Sequence, residues 1–183
     1  MAAKFYKMNA YLLPELSGYD QVLWIDAHFF HKHQPPFNNQ MREQIGSLLE
    51  NHTMVIPSHI ERNTVAAEVG PAIDRAVRNG LVHAGATDTR KAFEHQLNDG
   101  FKDDVGLWWC GVFAYTAKDL QLQQALNDWW KEVQIFSFRD QISFPYVVWK
   151  YGVDILTITE PEMCGVIDGV TKPGCGDMRK TSL

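Results

Sequence analysis

The stretch Tyr19–His33, YDQVLWIDAHFFHKH, constrains the fold more than any other part of the chain. Val22, Leu23, Trp24 and Ile25 form an unbroken apolar run bounded by polar residues. Such a run suits an interior strand covered on both faces, where alternation is lost because neither face meets water. It breaks at Asp26-Ala27-His28. The carboxyl end of an interior strand is the usual ligand edge of an open α/β sheet. Two readings follow. Asp26 and His28 turn together onto one divalent ion that would hold a diphosphate, with oxygen-plus-imidazole ligation suiting Mn²⁺ better than Mg²⁺. Or the strand simply ends in a polar loop with solvated histidines. His31 and His33 follow, but the cluster lacks the spacing of a zinc motif.

Around this strand, helical and strand patterns alternate. Lys4–Leu13 is a short amphipathic segment stopped near Pro14. Gln40–Glu50 has the spacing of a helix, and Thr53–Pro57 is a second short strand. Residues 60–79 carry Val65, Val69, Ile73 and Val77 four apart, with Gly70-Pro71 expected to kink or divide the helix. Asp88 is placed to cap a helix over Thr89–Asn98, and Val105–Tyr115 is an aromatic, β-prone segment. A helix over Ala117–Val133 would bury Leu120, Leu122, Leu126, Trp129, Trp130 and Val133. Ser137 would cap a helix over Arg139–Tyr151, where Pro145 is a difficulty beyond the first turn. Val153–Ile158 closes the strands, and 159–183 is expected to be a flexible tail. The whole, 1–183, is expected to be one α/β sandwich domain with a mainly parallel sheet and a core over roughly 4–158.

Composition narrows the function classes. The formal net charge of −5 gives no overall basic field for nucleic acid or anionic lipid. No apolar run approaches the roughly 18 residues of a membrane span, and MAAKFYKMN has no apolar signal region. Three cysteines, an odd count without zinc spacing, imply reduced thiols and a cytoplasmic protein.

The blocks KFYKMNAYLLPE, YDQVLWIDAHF, SHIERNTVAAE, GLWWCGVFAY and WWKEVQIFSFRDQISFPYVVWK, in that order, resemble a glycosyltransferase-like family. That family was long catalogued as a domain of unknown function; it occurs in plant Golgi proteins linked to mucilage and turgor and in bacterial and viral proteins. The most specific block is Trp130-x-Glu132 with Arg139-Asp140-Gln141-x-Ser143-Phe144, then Trp24-Ile25-Asp26, then His59-x-x-Arg62. The resemblance implies a fold of GT-A type and a metal at Asp26, with His28 standing where an acidic residue is usual. It also implies a nucleotide-sugar donor and an acceptor that is a glycan, lipid, protein or modified nucleobase. The chain begins close to the acidic-motif strand, so the nucleoside would be held differently or by a partner chain, or the domain is a reduced relative.

Glycosyl transfer needs a stabilised leaving diphosphate and, for inversion, a base on the acceptor hydroxyl. Asp140, at the expected start of a helix whose dipole keeps it ionised, is the candidate base. Arg139 beside it would steer a phosphate or sugar, and Glu132 would support Arg139 or bind a sugar hydroxyl. Arg62, His59, Gln141, Trp109 and, from the tail, Lys172 complete the expected donor-binding set. Two rivals stand: a non-catalytic module of the same fold, and a metal-dependent hydrolase using Asp26, His28, His31, His33 and His59.

Overall fold

The strand–helix alternation folds into a sheet with helices on both sides. The computed structural model describes residues 2–27, 29–30, 37–78, 80, 82–136 and 139–168, with 82–87 and 168 as backbone alone. Among them are helices α1 (Ala2–Asn9), α2 (Asn39–Leu48), α3 (Val65–Arg78), α4 (Val82–Asn98), α5 (Leu120–Ile135), α6 (Asp140–Tyr151) and α7 (Glu160–Asp168). The strands are β1 (Gln21–Ile25), β2 (Met54–Pro57), β3 (Val112–Thr116) and β4 (Ile155–Ile158), in the sheet order β1-β3-β2-β4. No helix among the described residues is long and apolar enough to cross a membrane.

The sheet is mixed, not mainly parallel. β3 runs antiparallel to both β1 and β2, and only β2 and β4 pair in parallel. The connections explain this. Between β1 and β2, which run in the same direction, lies α2 among the described residues, as in a crossover. Helix pairs, α3–α4 and α5–α6, join β2 to β3 and β3 to β4. A pair leaves and returns at the same end of the sheet, so direction reverses. The carboxyl ends of β1, β2 and β4 therefore share one edge with the starts of β3, α3 and α6.

Side-chain parity divides the interior. Val22, Met54, Ile56, Phe113 and Tyr115 face a core closed by α1, α3, α5 and α6, in which Trp129 and Phe144 pack at 4.6 Å. Val55, Val112 and Ala114 face the other core, with Met41 and Ile45 of α2 and Met163, Cys164 and Ile167 of α7. The chain beyond 158 thus begins as a packed helix rather than as a loose tail. β1 is an edge strand among the described residues, and only Val22 on it is buried, so its apolar run does not mark an interior strand.

Other boundaries differ for local reasons. Asp88 lies inside α4, not at its cap. The end of α4 is a left-handed Gly100, with Phe101 N–H on the Gln96 carbonyl at 3.1 Å and Gly100 N–H on Leu97 at 3.1 Å. Leu120 is exposed at the first position of α5, where Asp119 caps the Leu122 N–H at 2.7 Å. Pro71 and Pro145 lie within α3 and α6, which both continue. For α6, burial of every side chain from Asp140 to Val148 outweighs the lost backbone bond.

Gly111 turns the chain into β3 under the Trp109 ring. A Cβ there would lie 2.4 Å from that ring. We expect Gly111→Ala to cost about 1–3 kcal/mol in denaturant unfolding, the range for overpacking. The penalty should largely vanish in a Trp109→Leu background. A full penalty in that background would place the clash elsewhere.

Candidate functional site

Strand parity sends Asp26 to the same side as Trp24, whose indole N–H donates to Asp26 Oδ1 at 2.8 Å. That side carries α1, held against α5 by Phe5 on Trp130 with ring centroids 5.6 Å apart. Lys4 and Lys7, three apart on α1, share a face. Lys7 Nζ donates to Asp140 Oδ2 at 2.7 Å and lies 3.6 Å from Asp26 Oδ1. Lys4 Nζ lies 3.2 Å from Asp140 Oδ1. Asp26 and Asp140 therefore converge on one ammonium that is 3% exposed. The space between the two carboxylates is filled by that ammonium and is not an open cleft.

Burial alone would push the Asp140 carboxyl up. Lys7, then Lys4 and Arg139, overcome it and hold Asp140 well below the usual carboxylate range. Burial would likewise lower Lys7, and Asp140 and Asp26 hold it above its ordinary value. Burial pushes the neighbouring Cys110 thiol far up, so it stays protonated. A carboxyl depressed in the folded state contributes stability above its unfolded value, near 3.9, and loses it as pH falls below that. We expect unfolding free energy to drop below about pH 4, and to drop less steeply in Asp140→Asn, measured by urea titration at stepped pH.

A second ionic cluster adjoins the first through the Arg139-Asp140 peptide. Its centre is Glu68 on α3, 1% exposed. Arg62 Nε donates to Glu68 Oε2 at 2.6 Å, and Arg139 Nε and Nη2 donate to Oε1 at 3.2 and 2.9 Å. His59 Nδ1 accepts the Glu61 and Arg62 backbone N–H groups, both at 3.2 Å, which leaves the ring proton on Nε2, 3.9 Å from Glu68 Oε2. Burial pushes His59 below its usual value against the pull of Glu68, so it is neutral near pH 7. Asp103 caps α3, accepting from Val65 N–H at 2.7 Å and Ala66 N–H at 2.9 Å.

Of the sequence-derived set, Asp26 and Asp140 meet at Lys7, and His59, Arg62 and Arg139 meet at Glu68. Glu132 does not support Arg139. Its Oε1 lies 3.6 Å from His95 Nε2, its Oε2 has no hydrogen-bond partner among the described residues, and burial pushes its carboxyl up. Gln141 is buried, with its amide on the Trp108 carbonyl at 3.5 Å. Trp109 is half-buried against Phe29 on the other face of the sheet. His28, His31, His33, Ser137 and Lys172 lie outside the described residues. Lys4, Lys7 and Glu68 were missed. The three-residue spacing of two lysines in KFYKMN was the available signal for the first two; nothing in the pattern of α3 marked Glu68.

Of the two residues implied as metal ligands, His28 lies outside the described residues, and Asp26 is the one whose surroundings are described. Asp26 Oδ1 is already held by the Trp24 indole, and an ammonium stands 3.6 Å away, which repels a second cation. No group of three His, Cys, Asp or Glu among the described residues is arranged to hold one. Compared with protein-family models, curated proteins and solved structures, the chain matches none.

What remains is a pair of aspartate side chains locked by lysine, one sealed and one reaching solvent. The Asp26 side chain is 45% exposed. Through Asp26 such a pair can accept hydrogen bonds from hydroxyl groups, with the lysines holding the carboxylates in place.

Proposed function

We propose that the chain is a glycosyltransferase of GT-A type that moves a sugar from a nucleotide-sugar to an acceptor hydroxyl. The observation that carries this reading is the convergence of Asp26 and Asp140 on Lys7 at the strand-end edge of the sheet. Asp26, reaching solvent, accepts sugar hydroxyls or the acceptor proton. Asp140, held ionised by two lysines, is too weak a base for that proton. It is instead the counterion that fixes the Lys7 ammonium beside Asp26, and so positions the carboxylate that reaches solvent. Lys4 holds Asp140 from its other oxygen.

One observation favours a second reading, a non-catalytic module of the same fold: Asp140 is closed off behind both lysines, as in an ion pair that only holds helices together. The test is incubation of the purified protein with a panel of nucleotide-sugars and hydroxyl acceptors, followed by release of nucleoside diphosphate. Turnover of one donor is expected. Release with none, together with no binding of any donor by calorimetry, would leave the second reading standing.

A further inference from the structure

Among the described residues where α4, α5 and α6 meet, one buried carboxylate oxygen is left without a hydrogen bond. It is Glu132 Oε2. Glu132 is 9% exposed, so bulk water does not satisfy it. The charged neighbours are committed elsewhere. On α5, Asp128 accepts from Lys131 at 2.8 Å and from the Tyr151 hydroxyl. On α6, Lys150 Nζ lies 3.7 Å from Asp128 and donates to the Tyr146 hydroxyl at 3.4 Å. Just past α4, Asp99 accepts from that same hydroxyl. From α3, which packs on α4, the buried Glu68 is held by Arg62 and Arg139. From α1, which packs on α5, Lys4 and Lys7 are held by Asp140. Lys91, one turn before His95 on α4, is exposed. Facing Glu132 is His95, with Nε2 3.6 Å from Oε1 and a side chain 41% exposed. Its ring stacks on Phe136 at 4.6 Å and meets Tyr146 edge-on at 6.0 Å. Phe136 closes α5, its N–H on the Glu132 carbonyl at 3.0 Å, and α6 opens shortly after at Asp140.

At 3.6 Å the imidazole and the carboxylate stand just outside hydrogen-bond reach. A proton on the ring changes this. Imidazolium carries an N–H on both nitrogens whatever the starting tautomer, and a charge-assisted bond closes at about 2.8 Å. The same charge strengthens the stack on Phe136. Burial holds the Glu132 carboxyl above its ordinary value, with Asp128 and Asp99 adding to it and His95 and Lys150 opposing. We propose that His95 and Glu132 form a proton-controlled latch that fastens the end of α4 to the end of α5, closed when the ring is charged and open when it is neutral. The latch tightens the frame from which Asp140 projects. Histidine charge ordinarily changes between about pH 5 and 8, so this is the range in which the latch works.

Histidine-resolved NMR titration and urea unfolding of the full chain test it. In Glu132→Gln the His95 ring is expected to take up its proton at lower pH than in wild type, while His52, paired with Asp154, keeps its midpoint. A carboxyl raised in the folded state contributes stability below its unfolded value and loses it as pH rises, and pairing with a charged ring acts in the same direction. Relative to wild type, the unfolding constant of Glu132→Gln is therefore expected to fall at least about fivefold from about pH 5.5 to about pH 8. Lys118→Gln, which breaks an exposed pair with Asp20, is expected to show no such fall. In wild type alone, amide exchange at 96–100, corrected for its intrinsic rate, is expected to be slower at about pH 5.5 than at about pH 8. An unmoved His95 midpoint in folded Glu132→Gln overturns the latch, even with a falling unfolding ratio, since the proton would then belong to Glu132 alone. If that variant does not fold, equal protection of wild type at the two pH values overturns it instead. None of these measurements uses a sugar donor, so the latch stands or falls apart from the transferase reading.

Discussion

Lys7→Met is expected to lower the free energy of unfolding by about 3–5 kcal/mol, the cost of removing one partner from a buried ion pair. The ammonium donates to Asp140 at 2.7 Å, and neither side chain has much access to water. Without it, Asp140 keeps Lys4, whose side chain is 26% exposed and therefore partly screened, and the weaker pull of Arg139. Methionine preserves the length and apolar body of the side chain, so the loss reports charge and not volume. The double variant Lys7→Met/Asp140→Asn should lose less than the two single variants summed, because each single leaves a buried group that the other would have satisfied. Urea unfolding at pH 7 measures all four corners of the cycle. A single-variant loss below 1 kcal/mol would mean that water reaches the pair and that the interior is more open than its burial implies.

Asp140→Asn is expected to lower kcat/KM for sugar transfer at least about a hundredfold, the scale of losing the preorganisation of one catalytic group, here Asp26 through Lys7. Asparagine keeps the shape and removes the charge, leaving Lys7 with Asp26 as its remaining carboxylate at 3.6 Å. Asp26→Asn should reduce transfer on a similar scale with a smaller stability loss, since that side chain is 45% exposed. The contrast is the informative part. Equal stability losses with unequal activities would separate a structural aspartate from a reacting one. Near-normal transfer by a folded Asp140→Asn protein would remove Asp140 from the chemistry.

The two sides of the sheet and most helices could be read from periodicity, because apolar spacing reports directly which face is covered. The positions of Asp26 at a strand end, Asp140 at a helix start and His59-x-x-Arg62 after β2 were legible for the same reason: each sits where a pattern changes. Strand direction was not legible. Alternation of strands and helices does not carry it; the helix pairs legible over 60–98 and 117–151 return the chain to the end of the sheet it left, and that return makes β3 antiparallel to its neighbours. The ionic partners were hidden more deeply. Lys7 and Asp140 are 133 residues apart, and Glu68 meets Arg139 across 71. Local spacing carries no record of such meetings. Glu132 was assigned to Arg139 because the two are near in sequence. α6 instead begins on a new axis, which turns Arg139 to α3 and leaves Glu132 beside α4.

Those long separations bear on the order in which the molecule comes together. The first helix emerges from the ribosome carrying two lysines whose counterion has not yet been made. β1 likewise waits for β3, since Gln21 pairs with Thr116. Non-local closure of this kind slows folding and exposes unfinished surface meanwhile. α1 is thus expected to complete its ion pair only once α6 is made, so that a chain halted before α6 would hold α1 by α5 without its counterion and leave it more open to proteolysis.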